Sequence, residues 1–157
     1  MATRTVRSAN QPAGPCRFCQ ISRGELNAHI LFEDAISIAF LDHRPLFPGH
    51  CLLVTKQHYG TLLDLPAEIV GPLFLNAQKL AAIVERAMNA EGTFVAMNNR
   101  VSQSVPHFHI HIVPRRRGDG LRGFFWPRRT ISDEEIKTVE KKLSETIRDL
   151  SPSGLRP

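Results

Sequence analysis

The residues Val105-Pro106-His107-Phe108-His109-Ile110-His111-Ile112-Val113-Pro114 alternate imidazole with apolar side chains. A period of two is the signature of a β-strand, because successive Cβ atoms point to opposite faces. On a strand, His107, His109 and His111 share one face at intervals of about 6–7 Å, while Phe108, Ile110 and Ile112 line the other. A helix would scatter the three histidines around its circumference. The apolar face anchors the strand in a core. Three imidazoles on one sheet face suit metal ligation, or acid–base and nucleophilic chemistry.

The rest of the chain supplies partners for such a strand. His29-Ile30-Leu31-Phe32-Glu33 and Ile36-Ser37-Ile38-Ala39-Phe40-Leu41 are β-prone runs split by a short polar break, which reads as a hairpin. Arg44-Pro45-Leu46-Phe47-Pro48-Gly49 has the chemistry of a loop. Cys51-Leu52-Leu53-Val54 then reads as a buried strand, with His50 at its entry and Lys56 and His58 at its exit. From Pro66 to Ala90 the apolar positions Ile69, Val70, Leu73, Phe74, Ala77, Leu80, Ala81, Val84 and Met88 recur at helical spacing, with Asp64 available as a cap. Because an interior proline costs roughly 3 kcal/mol, Gly71-Pro72 places the start of regular helix at Pro72. Further strands are expected at Thr93–Asn98 and Phe108–Val113. A last helix should begin at Ser132, whose spacing to Glu135 is that of a capping box.

Length and composition set the frame for these elements. The chain has 157 residues with 42% hydrophobic content, which fits one compact domain. We expect that domain over residues 16–150, with tails at 1–15 and 151–157. No run approaches the roughly 18 apolar residues of a membrane span, which excludes an integral membrane protein from the expectation. The net charge of +5 is concentrated in one place: Arg115, Arg116, Arg117, Arg122, Arg128 and Arg129 stand against Asp119 alone. Such a cluster suits a phosphate-bearing ligand or an anionic surface, and a solvated loop is the plain alternative. Three cysteines, two of them in Cys16-x-x-Cys19, are too few for a disulfide framework and point to a reducing, cytoplasmic setting. Residues 1–15 contain no acid and no apolar core, so they match no secretory signal.

His107-Phe108-His109-Ile110-His111-Ile112-Val113 resembles the motif of the histidine triad (HIT) family, in which three histidines alternate with apolar residues. Gln103-Ser104, Phe40-Leu41-Asp42, Pro48-Gly49-His50 and the Cys16-x-x-Cys19 opening follow the family's order. The resemblance runs from about residue 16 to residue 126 and is closest to the Hint-like, zinc-carrying bacterial branch. It implies an α+β fold, with an antiparallel sheet of about five strands, one long helix and a C-terminal helix. It also implies a homodimer paired through the long helix and an adjacent strand.

The same resemblance implies a chemistry. His109 would attack the α-phosphorus of a nucleotide to give a nucleotidyl-histidine that water hydrolyses, while His111 and His50 contact phosphate oxygens. Gln103 and Ser104 would be polar donors at the phosphate or leaving group, with Asn98 or Asn99 as a phosphate-side amide. Asp42 would accept from the ribose hydroxyls, its alternative being a cap for the turn Asp42-His43-Arg44-Pro45. Phe18, Ile21 and Phe40 would wall the base pocket. Cys16, Cys19, His58 and His107 would hold a structural zinc ion. Two features depart from the family pattern: Asn98–Ser102 is short and lacks glycine, and an arginine-rich run follows Pro114. The Trp126-Pro127 pair in that run corresponds to a C-terminal segment near the active site and dimer interface of Hint-like proteins.

The activity implied is that of a nucleoside phosphoramidase or dinucleoside polyphosphate hydrolase. Two other readings are a metal-binding interaction module in which all three histidines hold metal, and an aprataxin-like nucleic-acid deadenylase. The second is disfavoured by the lack of a further zinc-finger module, which leaves a nucleic-acid partner unexpected.

Overall fold

The computed structural model describes residues 15–121 and 129–150. The expected tails lie outside these residues, apart from Pro15, as do Arg122, Trp126, Pro127 and Arg128 of the basic run. In chain order the elements are α1 (Arg17–Ser22), β1 (Ile30–Glu33), β2 (Ser37–Leu41), β3 (Cys51–Thr55), a 3₁₀ turn at Leu62–Asp64, α2 (Ala67–Ala87), β4 (Gly92–Ala96), β5 (His109–Arg115) and α3 (Asp133–Leu150). The five strands form one antiparallel sheet in the order β1-β2-β3-β5-β4. This is the α+β architecture expected of the sequence.

Strand alternation sorts the core into two layers. On one face Ala39, Cys51, Leu53, Phe108, Ile110 and Ile112 pack against Leu73, Ala77, Leu80 and Val84 of α2. On the other, Ile38, Phe40, Leu52 and Val54 pack against Phe18 of α1. Register keeps the sets apart, with Leu53 opposite Ile110 and Leu52 opposite His111. β5 is therefore held on one face by the main core and turns His109 and His111 to the other. α2 is long and apolar enough for a membrane span by composition, but it buries Leu73, Ala77, Leu80 and Val84 as the core helix of this sheet.

Two expectations about α2 are corrected. The helix runs without interruption from Ala67 through Gly71 and Pro72, so Pro72 lies inside it and does not start it. Pro72 removes the amide that would bond the Glu68 carbonyl; Glu68 is exposed, so water can satisfy that group. Nor does Asp64 cap α2. Its carboxylate closes a capping box with Thr61 on the preceding 3₁₀ turn, and Pro66 occupies the N-cap of α2. The β1–β2 turn is tied to α2 by a polar cluster. Asp34 Oδ1 accepts from the Ile36 and Ser37 amides at 2.9 and 2.7 Å, and its Oδ2 accepts from Asn76 Nδ2 at 2.6 Å.

The chain divides into a compact unit that ends at Asp119 and a second that begins at Gly120. Within the second, α3 starts where expected. The Ser132 hydroxyl accepts from the Glu135 amide at 3.3 Å, and the Ser132 amide donates to Glu135 Oε2 at 2.8 Å.

Candidate functional site

α1, the element least evident from the sequence, builds one wall of the site. It has six residues and no side-chain N-cap bond, so by itself it is too short to persist. Its anchor is a group of four donors, Cys16, Cys19, His58 and His107, whose ligand atoms all lie within 4.8 Å of one another. Cys16 Sγ is 3.3 Å from His107 Nδ1, and Cys19 Sγ is 3.3 Å from His58 Nδ1 and 3.5 Å from His107 Nδ1. In a tetrahedral zinc site the S···N edge is about 3.5 Å, so these donors have the spacing to hold such an ion. Orientation agrees. His107 Nε2 donates to the Thr55 carbonyl at 2.7 Å, which leaves the Nδ1 lone pair turned toward the thiols. Burial brings His107 down to about 4, so its imidazole is neutral, as a ligand must be. Burial, with Cys16 adding to it, raises Cys19 to about 11, so its thiolate would need a cation.

His107 lies in the bend just before β5, and His109 begins that strand; it is 3% exposed, with its ring centroid 5.1 Å from that of Phe18 and 4.9 Å from that of His111. His109 Nδ1 is 2.7 Å from the His107 carbonyl oxygen. A carbonyl only accepts, so the ring hydrogen is on Nδ1 and the lone pair is on Nε2. Burial lowers the pKa of His109, against the opposing pull of the His107 carbonyl and Asp42. The result is a neutral imidazole with its nucleophilic nitrogen fixed. His111 is brought down to about 4, mainly by burial and then by His109 and His50.

The face of the sheet in front of these rings opens into a cavity of about 370 Å³. Its walls include Phe18, Ile21, Phe40, Asp42, Ser104, His109 and His111, which brings together seven of the residues singled out from the sequence. Arg17, Leu26, Asn27, Ala28, His29, Leu52 and Val105 also line it and were not singled out as site residues from the sequence. Asp42 takes up its expected alternative, the turn cap. Its Oδ1 caps the turn by accepting from the Arg44 amide at 2.8 Å, and its Oδ2 lies 3.6 Å from His50 Nε2.

Four other residues lie off the cavity wall. His50 is 3% exposed and sits behind His111, with its Nε2 at 3.0 Å from His111 Nδ1. Asn98 Nδ2 donates to the Ser102 carbonyl at 3.2 Å, and Asn99 Oδ1 accepts from the Leu62 amide at 2.8 Å. Gln103 accepts from the Arg100 amide at 2.9 Å and donates to the Gly60 carbonyl at 2.6 Å. These three amides brace the glycine-free loop, in which Arg100 and Ser102 both adopt positive φ. In the basic run, Arg115 forms a bidentate pair with Asp119, Arg116 donates to the Met88 carbonyl, and the Arg117 amide donates to Glu91.

Comparison with known proteins gives a consistent picture. The HIT domain matches residues 23–118. An adenosine 5'-monophosphoramidase of Schizosaccharomyces pombe is 35% identical over 135 residues, covering 85% of this chain and 98% of the relative. An adenylylsulfatase of Arabidopsis thaliana is 31% identical over 134 residues, covering 84% of this chain and 66% of the relative. A Zn-bound histidine triad family protein from Mycobacterium smegmatis superposes with a TM-score of 0.65 at 33% identity, over 83% of this chain and 96% of the other.

Proposed function

The chain belongs to the HIT family, and from that premise we propose that it hydrolyses conjugates of AMP at the α-phosphate through a nucleotidyl-histidine intermediate on His109. The observation that carries this reading is the 2.7 Å contact from His109 Nδ1 to the His107 carbonyl, which leaves Nε2 as the lone pair of a ring that lines the cavity. His109 Nε2 attacks the α-phosphorus, the bond to the leaving group breaks, and an amine leaving group takes up a proton from water. Water then attacks the phosphorus, AMP departs, and the imidazole regains its neutral form. Asp42 would accept from the ribose, and Ser104 would donate to the phosphate or leaving group; both line the cavity. Phe18, Ile21 and Phe40 supply an apolar slot for the base. The activities named for the yeast and plant relatives support AMP linked to an amine or to sulfate as the substrate class.

Zinc is the ion that best suits two thiolates and two imidazoles at these spacings, and it would join α1 to the strand that carries the nucleophile. Its role would be structural, tying the N-terminal segment to the histidine strand. A module in which all three histidines hold metal finds less support, because His109 belongs to neither group of metal-capable donors among the described residues. The chain would act as a homodimer in a reducing cytoplasm, with twice the 17.6 kDa mass of one chain in light scattering.

The test is steady-state hydrolysis of a fluorogenic adenosine phosphoramidate by the protein and by His109→Gly. Loss of the nucleophile should lower turnover about a thousandfold or more. Equal turnover in the variant would refute the intermediate.

A further inference from the structure

His50 is buried behind His111, and its surroundings fix where its hydrogen sits. The Leu46 amide donates to His50 Nδ1 at 3.1 Å. A backbone N–H can only donate, so Nδ1 is the lone pair and the hydrogen of neutral His50 is on Nε2. That Nε2 is 3.0 Å from His111 Nδ1, so His111 Nδ1 accepts and the hydrogen of His111 lies on its own Nε2. His109 is set the opposite way, with its hydrogen on Nδ1. Two rings on one face of one strand, with centroids 4.9 Å apart, therefore hold opposite tautomers.

We infer that the main-chain amide of Leu46 is a positioning group for the reaction: acting through His50, it fixes His111 as an N–H donor beside the lone-pair nucleophile His109. The side chain at position 46 has no part in this, being 58% exposed. The amide is held in place by its loop. The His50 amide donates to the Phe47 carbonyl at 3.0 Å, the Asp42 amide to the His50 carbonyl at 3.0 Å, and Gly49 turns the chain at φ +91°.

The Leu46 amide also excludes two competing states. Asp42 Oδ2, 3.6 Å from His50 Nε2, favours a charged imidazolium, but that form would put an N–H on Nδ1 directly against the Leu46 N–H. Asp42, His50 and His111 lie close enough to surround a cation. Metal on His50 Nε2 would move the ring hydrogen to Nδ1 and create the same donor-against-donor clash. A neutral relay from amide to His50 to His111 satisfies every group.

The kinetic half of the test rests on the proposed adenylyl transfer; the tautomer half does not. Two-bond ¹⁵N–¹H correlation spectra of the nucleotide-free protein should show hydrogen on Nε2 of His50 and His111 and on Nδ1 of His109. Leu46→Ala keeps the amide and should leave these spectra unchanged, with kcat within about twofold of the parent. Leu46→Pro removes the N–H. It should populate the other tautomer of His111 and lower kcat about tenfold to a hundredfold, with KM within about twofold. A hydrogen on Nδ1 of either His50 or His111 in the unaltered protein would overturn the inference, whether or not Leu46→Pro folds. So would a folded Leu46→Pro with unchanged tautomers. If the unaltered protein turns over no adenylyl conjugate, the proposed function fails and the spectra still decide the tautomer question.

Discussion

Gly49→Ala perturbs the turn that delivers His50, and its cost can be built from the structure in separate parts. Gly49 has φ +91°, where an L-residue is strained by about 1–2 kcal/mol. An added Cβ would lie 2.7 Å from Met88 Cγ and 3.0 Å from Met88 Sδ, an overpacking of about 1–3 kcal/mol. Against this, alanine restricts the unfolded chain and returns about 0.4–1 kcal/mol. The net expectation is destabilisation by about 2–3 kcal/mol. Urea denaturation should show a lower midpoint with an unchanged slope. Met88 lies at the edge of α2 and is 37% exposed, so Met88→Ala can remove the clash without opening the core. A double-mutant cycle should recover about 1–2 kcal/mol of the loss, leaving the backbone strain behind. A Gly49→Ala loss below about 0.5 kcal/mol would refute the backbone argument, and a coupling of zero would refute the contact with Met88.

Other perturbations reach the core, the metal site and the histidines. Phe108→Ala removes a fully buried ring between β5 and α2 and should cost about 3–5 kcal/mol in the same denaturation assay. Purified protein should carry one zinc per chain by atomic absorption; Cys16→Ser should lose it and melt at a lower temperature, whereas full zinc content in that variant would remove Cys16 from the ligand set. His111 titrates near 4 in the fold and near 6.5 when unfolded, so between these values the unfolded chain binds a proton that the folded chain does not. Stability therefore falls as pH drops through that window, by about 1.4 kcal/mol per pH unit for each such group. His111→Gln should flatten the plot of unfolding free energy against pH by up to one proton over that range. An identical slope would show that His111 is not held neutral.

The triad strand, the β1–β2 hairpin and α3 were legible because each announces itself within a few residues, by alternation or by a capping pair. The interior of α2 was less so. Pro72 looked like a beginning because its missing amide costs little on a solvent-facing turn, something that depends on the exposure of Glu68. Asp64 was free to cap either of two neighbouring elements, and sequence alone does not choose between them. α1 has neither length nor cap, and what holds it comes from elsewhere in the chain: the core residues around Phe18, and His58 and His107 beside its cysteines. The cavity residues Asn27 and His29 gave no sign because they are surface positions made relevant only by what lies opposite. The same holds for Leu46, whose contribution is an amide that every residue except proline would supply.

The strand order gives the assembly of this molecule a direction in time. β1, β2 and β3 are consecutive in the chain and adjacent in the sheet, so they can pair as soon as they are synthesised. The partner on the other edge of β3 is β5, which arrives after α2 and β4. His50 and His111 are 61 residues apart, and closing a loop of that length costs about 3.6 kcal/mol plus a constant before any contact repays it. Until then β3 presents an open edge of residues destined for complete burial, the kind of surface on which nascent chains stick to one another. Insertion of β5 ends that hazard and, in the same event, places His109 and His111 beside His50. One docking event thus both covers the open edge and assembles the histidine cluster.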